Sequence, residues 1–531
     1  MATSCGLKVM IPSLVATGYK FGGHETITLR LNDILSSEND NAVNSANADV
    51  KIYACAYIQL SDGQVLQSTT QAYNLKELIH LVDNQYAGYS ELQKKALQAM
   101  GSKFSQVMMS WDVENFHHAS GGMWTPVDED SFLSLMKQGT SKYTIPSGNY
   151  VLTEDVNIGQ RQIYLHNDVT ICLNGHTIIG SQQLFDMRGN LTICDCRETD
   201  AEGGLISTYN IGEKIFAPVV HVRAGVMNLY GGKLQAGGSI RSAGVVGVGD
   251  YNTNPTTTGL FNMYGGSIFG GVARYNGGLV TVWNGSAFNM YGGSIHDGSC
   301  IGEENDSNSG NGGGLVVRDG SIANLYGGEI YGCTAANNGG GVWVQSDAQC
   351  YIGNVKIYNN SAGGKGGNIF GNGTRDMILQ DTIVTGGVAA EGGGVYQHAG
   401  EVTVTGTTVI RDNKNGDLRL HTNASLQADG LTAGADVQVS AAIHGKIGND
   451  PAAADYVTCT DDGYSVMQYG DDMVLWNSAL TKAQNITYFS AGIGRVCITP
   501  RDENGNLLPV PLDGYGATEY RLAQTVDGDL Y

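Results

Sequence analysis

The sequence predicts an all-β dominated chain: a central parallel solenoid of β-coils, with a small α+β module before it and a small β module after it. Three observations carry this. The phrase FNMYGGSIFGG (261–271) returns as FNMYGGSIHDG (288–298), with MNLYGGKLQAGG before and ANLYGGEIYGC after. A second, glycine-anchored phrase repeats in step with the first. The 76 glycines stand against 9 prolines, and they sit at fixed places among Val, Ile and Tyr, as tight turns between short strands require.

The first region runs over 1–120. HETITLRL (24–31) and DVKIYACAYIQL (49–60) alternate as strands, and LSDGQVL (60–66) reads as a hairpin with an Asp-Gly turn. Helical spacing follows in NLKELIHLV (74–82) and in YSELQKKALQAMGSKFSQVMM (89–109), where Leu92, Ala96, Leu97 and Met100 share a stripe. This strands-then-helix order resembles a small module common in surface proteins of gut-type Gram-positive bacteria. Residues 121–139 read as a linker.

Residues 140–447 are the repeats. Tyr230, Tyr264, Tyr291 and Tyr326 occupy one slot, at steps of 34, 27 and 35 residues. Met227, Phe261, Phe288 and Ala323 share an apolar slot before it, Leu229, Met263, Met290 and Leu325 a second, and Asn228, Asn262, Asn289 and Asn324 stand between them. Period-2 alternation turns the apolar pair to a core and Asn and Tyr to the other face. The second phrase is NGGLVTVWN, NGGGLVVRD, NGGGVWVQS, KGGNIFGNG and EGGGVYQHA, each glycine cluster turning a corner where a Cβ would clash. Further coils read at VTICLNGHTIIG and EVTVTGTTVIRDN. A unit of about 25–35 residues cannot bury its own face, so the units must stack on one another.

These phrases, with LNGHTIIG and the GGSI, GGEI and GGNI elements, resemble the right-handed parallel β-helix of the pectin-lyase-like fold, in its adhesin-like bacterial surface branch. The resemblance implies an extracellular or cell-surface setting. It does not imply one chemistry, because that fold hosts lyases, hydrolases, adhesins and tailspikes. The paired Asp with GHG and RIK motifs of the polygalacturonase branch does not occur in this sequence.

The last region, 448–531, reads as a capping hairpin (YVTCTDDGYSVMQYGDDMVLW) followed by part of a β-sandwich-like module with a DENGN turn. The Asp pairs at 461–462 and 471–472 shape turns. The net charge of −21 argues against nucleic acid and anionic membrane as partners. No apolar run approaches the ~20 residues of a membrane span, and MATSCGLKVM lacks the layout of an export signal. The ten cysteines show no CxxC pair; Cys172 and Cys194, in the matching phrases VTICLNG and LTICDCR, read as stacked small core residues.

Counting from the glycine block places Val316, Trp343, Phe370 and Tyr396 in one slot, and Trp283, Arg318, Gln345, Asn372 and His398 two residues later. The column between them is mostly core, so both flanking columns are expected to point outward. Aromatic faces beside amide and guanidinium donors suit a carbohydrate. The same stripe also suits burial under an insertion, a flanking domain or a partner subunit, in a homo-oligomer for instance. The Asn column also suits a stabilising amide ladder. In the insertion CIGEENDSNSGNGGG (300–314), Glu303, Glu304 and Asp306 offer hard oxygen ligands for Ca²⁺, or simply form a solvated loop; no other cofactor is expected. Asp250, Asp297, Asp319 and Asp347 share no slot, and no carboxylate pair is evident from spacing. The expectation is therefore a non-catalytic, adhesin-like surface for glycans or for a host or bacterial surface protein. The alternative is a polysaccharide lyase or glycoside hydrolase with its site in a groove along the coils.

Overall fold

The computed structural model describes strands at 2–11, 14–21, 52–60, 65–67 and 71–73, and most of residues 124–479. Chain contacts divide the protein into two units, residues 1–114 and 115–531.

In the first unit, Ala2–Ile11 pairs antiparallel with both Leu14–Phe21 and Ile52–Leu60. Ile52–Leu60 in turn pairs antiparallel with Val65–Gln67, with Gln59 opposite Val65. These two strands flank the predicted Asp-Gly turn. The strand expected at 24–31 and both expected helices lie outside the described residues.

The second unit is a parallel β-solenoid. Short strands recur and pair in parallel with their counterparts one coil earlier and one coil later; among the described residues the main sheet runs to 34 strands, with Lys137–Gln138 joined antiparallel to Tyr143–Thr144 at one end. The register is that of the repeated phrases: Met227 opposite Phe261, Phe261 opposite Phe288, Phe288 opposite Ala323. Thr125–Val127 already pairs with Tyr150–Leu152, inside the stretch read as a linker. Between that strand and the next coils sits the helix Glu129–Leu135, begun by a reciprocal Asp128/Ser131 capping box and holding Phe132 inward. At the far end, Val457–Cys459 adds one more parallel strand, and Tyr464–Tyr469 folds back on Asp472–Asn477. Asp472–Asn477 also pairs with Lys446–Gly448. A hairpin thus lies within the stretch read as a cap, in a small antiparallel sheet of its own with Lys446–Gly448.

The core is built from alternate residues. Met227, Phe261, Phe288 and Ala323 fill one inward column and Leu229, Met263, Met290 and Leu325 the next, all fully buried. Phe261 and Phe288 stack at 5.0 Å. At the corners the glycines are sterically required. A Cβ on Gly278 would lie 2.2 Å from the Gly313 carbonyl oxygen, and one on Gly313 would lie 2.4 Å from that of Gly340.

Asn and Tyr do turn away from the core, as alternation demands, yet they are not solvated. Asn262, Asn289 and Asn324 are buried and donate in sequence: Asn262 Nδ2 to Asn228 Oδ1 at 3.0 Å, Asn289 to Asn262 at 2.9 Å, Asn324 to Asn289 at 2.9 Å. The ladder stops where Tyr351 takes the Asn slot. The tyrosine column stacks at 4.6, 5.0 and 5.0 Å and is buried throughout. Replacing Asn289 with Ala removes the acceptor of Asn324 and the donor to Asn262 in a dry environment. At about 1–3 kcal/mol for each such buried group, Asn289→Ala should lower the urea midpoint of the solenoid clearly, whereas an exposed substitution such as Asp347→Ala should not.

Candidate functional site

The two predicted outward columns exist in the predicted register. Val316, Trp343, Phe370 and Tyr396 are successive partners, and Val317 and Val344 between the columns belong to the core. What differs is access. Phe370 is 6% exposed, Tyr396 1% and Val316 0%, and only Trp343 is half-buried. The cover is the chain itself. The glycine corners fold over this column so closely that a Cβ on Gly312 would sit 2.1 Å from Val316 and one on Gly339 2.8 Å from Trp343. The Lys365 ammonium lies 4.6 Å above the Tyr396 ring and donates to its hydroxyl at 2.9 Å. Phe370 and Tyr396 are thus packing residues, not an open platform.

The second column is equally engaged. Trp283 is 3% exposed and packs on His221 at 5.7 Å. Arg318 pairs with Asp319 at 2.8 Å, and Gln345 accepts from the Asp319 backbone at 3.2 Å. Asn372 is half-buried, with its backbone N–H on Val344. His398 stacks on His421 at 4.6 Å, and partial burial, then His421 and Lys365, lower its pKa.

The Ca²⁺ candidates do not converge. Glu303 and Glu304 are exposed. Glu303 reaches Arg274 at 3.9 Å, and Asp306 uses its carboxylate to cap the Asn308 N–H at 2.9 Å, the habit of an Asx-type turn. Scattered carboxylates elsewhere have the same employment. Of the ten non-glycine residues with positive φ among the described residues, nine are Asn or Asp, Asp297 and Asp319 among them. These two hold left-handed turns that few other side chains tolerate.

Two arrangements were missed from the sequence. The first is a charged chain on the earlier coils, on the face where Asp186 and His221 are register partners. Lys142 pairs with Asp186. Arg223 bridges Asp186 at 2.6 Å to Asp250 at 3.2 Å, and Arg188 closes on Asp250 at 2.9 Å. Burial by itself would raise the Asp186 pKa, but Lys142 and Arg223 outweigh it and hold the carboxyl below its ordinary range. Beside it, His221 is fully buried and its Nε2 meets the Gly249 carbonyl at 2.8 Å. Burial, reinforced by Arg223, depresses its pKa to about 3 against the pull of Asp186 and Asp250. Asp186 is thus ionised and neutralised by its cations, which is the wrong state for a general acid, and Asp250 is held between two arginines. No local spacing signals this cluster, because its members come from four coils.

The second is a ladder of rings on another face. Phe269, His296, Tyr331 and Tyr358 are register partners, stacked at 4.8, 4.8 and 5.0 Å with interplanar angles of 8°, 1° and 11°. All four are half-buried. Glu329 and Lys356 run alongside, paired at 3.3 Å, and Tyr358 donates to Glu329 at 3.0 Å. Partial burial and that hydrogen bond push the Tyr358 hydroxyl up to about 12. The signal was present in the repeated phrase itself. Ser-Ile-Phe and Ser-Ile-His place the residue after the core Ile on the outer face.

No protein-family model matches this chain, and comparison with curated proteins and with solved structures finds no match.

Two outcomes follow from this geometry. Phe370→Ala should destabilise the solenoid by the ~3–5 kcal/mol typical of a buried Phe, read as a fall in unfolding midpoint. For His221 the unfolded imidazole titrates near ~6.5 and the folded one near 3. Its neutral form therefore stabilises the fold above ~6.5, and that stability drains away as pH falls towards 3. The His221 ring resonances should stay those of the neutral form down to about pH 4, and His221→Asn should flatten the stability profile between about pH 7 and 4.

Proposed function

We propose that this protein is a non-catalytic, adhesin-like β-helix of the pectin-lyase-like kind, working outside the cell and binding an extended glycan along the Phe269–His296–Tyr331–Tyr358 face. The observation that carries the reading is the regular pitch of that ladder, 4.8–5.0 Å between half-buried rings. Inside the ladder the ring faces are engaged with one another. The ladder therefore offers its ring edges once per coil, with the Tyr331 hydroxyl, the Tyr358 oxygen as an acceptor while its proton is on Glu329, and Nε2 of His296, whose Nδ1 lies 2.8 Å from Asp297. An extended β-linked polysaccharide advances by roughly one coil pitch per sugar, with successive sugars turned over, so that the same face returns at every second coil. A periodic polar array and a periodic polymer then share one register over several units. The gain multiplies with length, so longer oligosaccharides should bind far better than dimers.

The charge pattern supports a neutral or basic glycan over a polyanionic one, given the net charge of −21 and Glu329 beside the rings. Among the described residues no helix is long and apolar enough to cross a bilayer. Product release from any polysaccharide would instead favour the lyase or hydrolase reading.

The test is retention on an array of plant, mucin and bacterial glycans, with reducing ends and unsaturated products followed in parallel. Tyr331→Ala with Tyr358→Ala should lower retention roughly tenfold or more, taking ~1 kcal/mol or more per lost ring contact. The unfolding midpoint should fall as well, because the His296–Tyr331 and Tyr331–Tyr358 stacks go with the rings, so retention is compared well below the midpoint of the variant. Retention unchanged in the double variant would sink the ladder as the binding face.

A further inference from the structure

Two coils before Tyr230, the outward column that carries Tyr230, Tyr264, Tyr291 and Tyr326 holds cysteine. Cys172 stands opposite Cys194, and the pairing of Ile193 with Leu229 puts Cys194 in line with Tyr230. Both thiols are buried, at 0% and 3% exposure. They are stacked and buried, as the sequence suggested, but on the outward side of strands whose inward residues, Ile171 and Ile193, line the main apolar cluster. A third sulfur arrives from Cys196, two residues on, and the three Sγ atoms lie within 4.8 Å of one another. Among the described residues, no other set of three or more His, Cys, Asp or Glu ligand atoms converges this closely.

We propose that Cys172, Cys194 and Cys196 form a binding site for a thiophilic closed-shell cation, Zn²⁺ or Cu⁺, that clamps two successive coils together. Metal–sulfur bonds of about 2.3 Å place sulfurs ~4 Å apart, so the three need to close by less than about 1 Å. Three soft ligands and no hard oxygen donor among the converging atoms select thiophilic metals over Ca²⁺ or Mg²⁺.

The site is held in shape before any metal arrives. Asp195, between two of the ligands, accepts the Gly175 N–H at 2.7 Å and the Gly203 N–H at 2.9 Å. It thereby ties the Cys194–Cys196 backbone to the turn of the preceding coil and to the segment that follows. Ordered ligands lose little entropy on binding. Each ligating thiol releases its proton to solvent as its metal–sulfur bond forms, with no change of oxidation state.

The experiment uses the full chain, reduced and stripped of metal. Titration with Cd²⁺ should raise a thiolate-to-metal charge-transfer band that saturates at one equivalent. X-ray absorption of the Zn²⁺-loaded protein should find three sulfur neighbours at about 2.3 Å. Cys172→Ser, Cys194→Ser and Cys196→Ser should each weaken Cd²⁺ by more than the roughly 10–100-fold that loss of an outer-shell partner brings. Cys300→Ser and Cys350→Ser should leave it unchanged. Competition between Zn²⁺ and Cu⁺ then decides which cation the site prefers. The wild-type absorption data need no variant to fold. Oxygen or nitrogen ligation, no saturation at one equivalent, or an unchanged band in the triple variant would each overturn the proposal. So would peptide mapping that recovers a disulfide among these three cysteines from protein purified with reductant present.

Discussion

Everything in the solenoid depends on one constraint: each strand must lie over its counterpart on the neighbouring coil, in parallel and in register, one strand spacing away. Parallel pairing of this kind leaves no freedom to slip, because a shift of one residue would turn the whole core column outward. Met263 over Leu229 and Met290 over Met263 are the energetic reason for the register. The hydrogen bonds between coils then cost nothing further to align.

In-register stacking converts any repeated residue into a continuous column, and the column's chemistry then decides its worth. Asparagine becomes an amide ladder, in which each side chain satisfies the next. Such a network is favourable only when complete, since a gap leaves buried donors without acceptors. Tyrosine becomes a stack of rings. Glycine becomes a seam through which one coil's carbonyl oxygen occupies the space of the next coil's missing Cβ. The helix Glu129–Leu135 and the antiparallel strands Tyr464–Tyr469 and Asp472–Asn477 stand at the two ends of the described coils.

The outward columns differ in what lies over them, and that difference separates packing from recognition. Phe370 and Tyr396 are covered by glycine corners and by Lys365. Phe269, His296, Tyr331 and Tyr358 stay half-buried. On the earlier coils the same register gathers unlike residues. Asp186, His221 and Gly247 succeed one another in one column, and Arg223 joins charges that lie far apart in sequence. The thiols of Cys172 and Cys194 replace rings in the tyrosine column. A stack that changes residue type mid-column loses its packing partner and gains a place for chemistry.

The sequence by itself determined the solenoid, its register, its inward columns and its glycine corners. Each is a local pattern repeated at a fixed step, and repetition alone makes it readable. It also contained the ladder of Phe269 and His296, in the residue after each core Ile, although the glycine-anchored columns drew the eye first. Only the tertiary structure decided which outward columns are covered, because cover comes from the neighbouring turn and not from the strand that bears the ring. It likewise decided that Asp186 meets Asp250 through Arg223, and that Cys196 turns back to join Cys172 and Cys194. Those contacts join residues at unequal steps from different coils, and no period in the sequence encodes them.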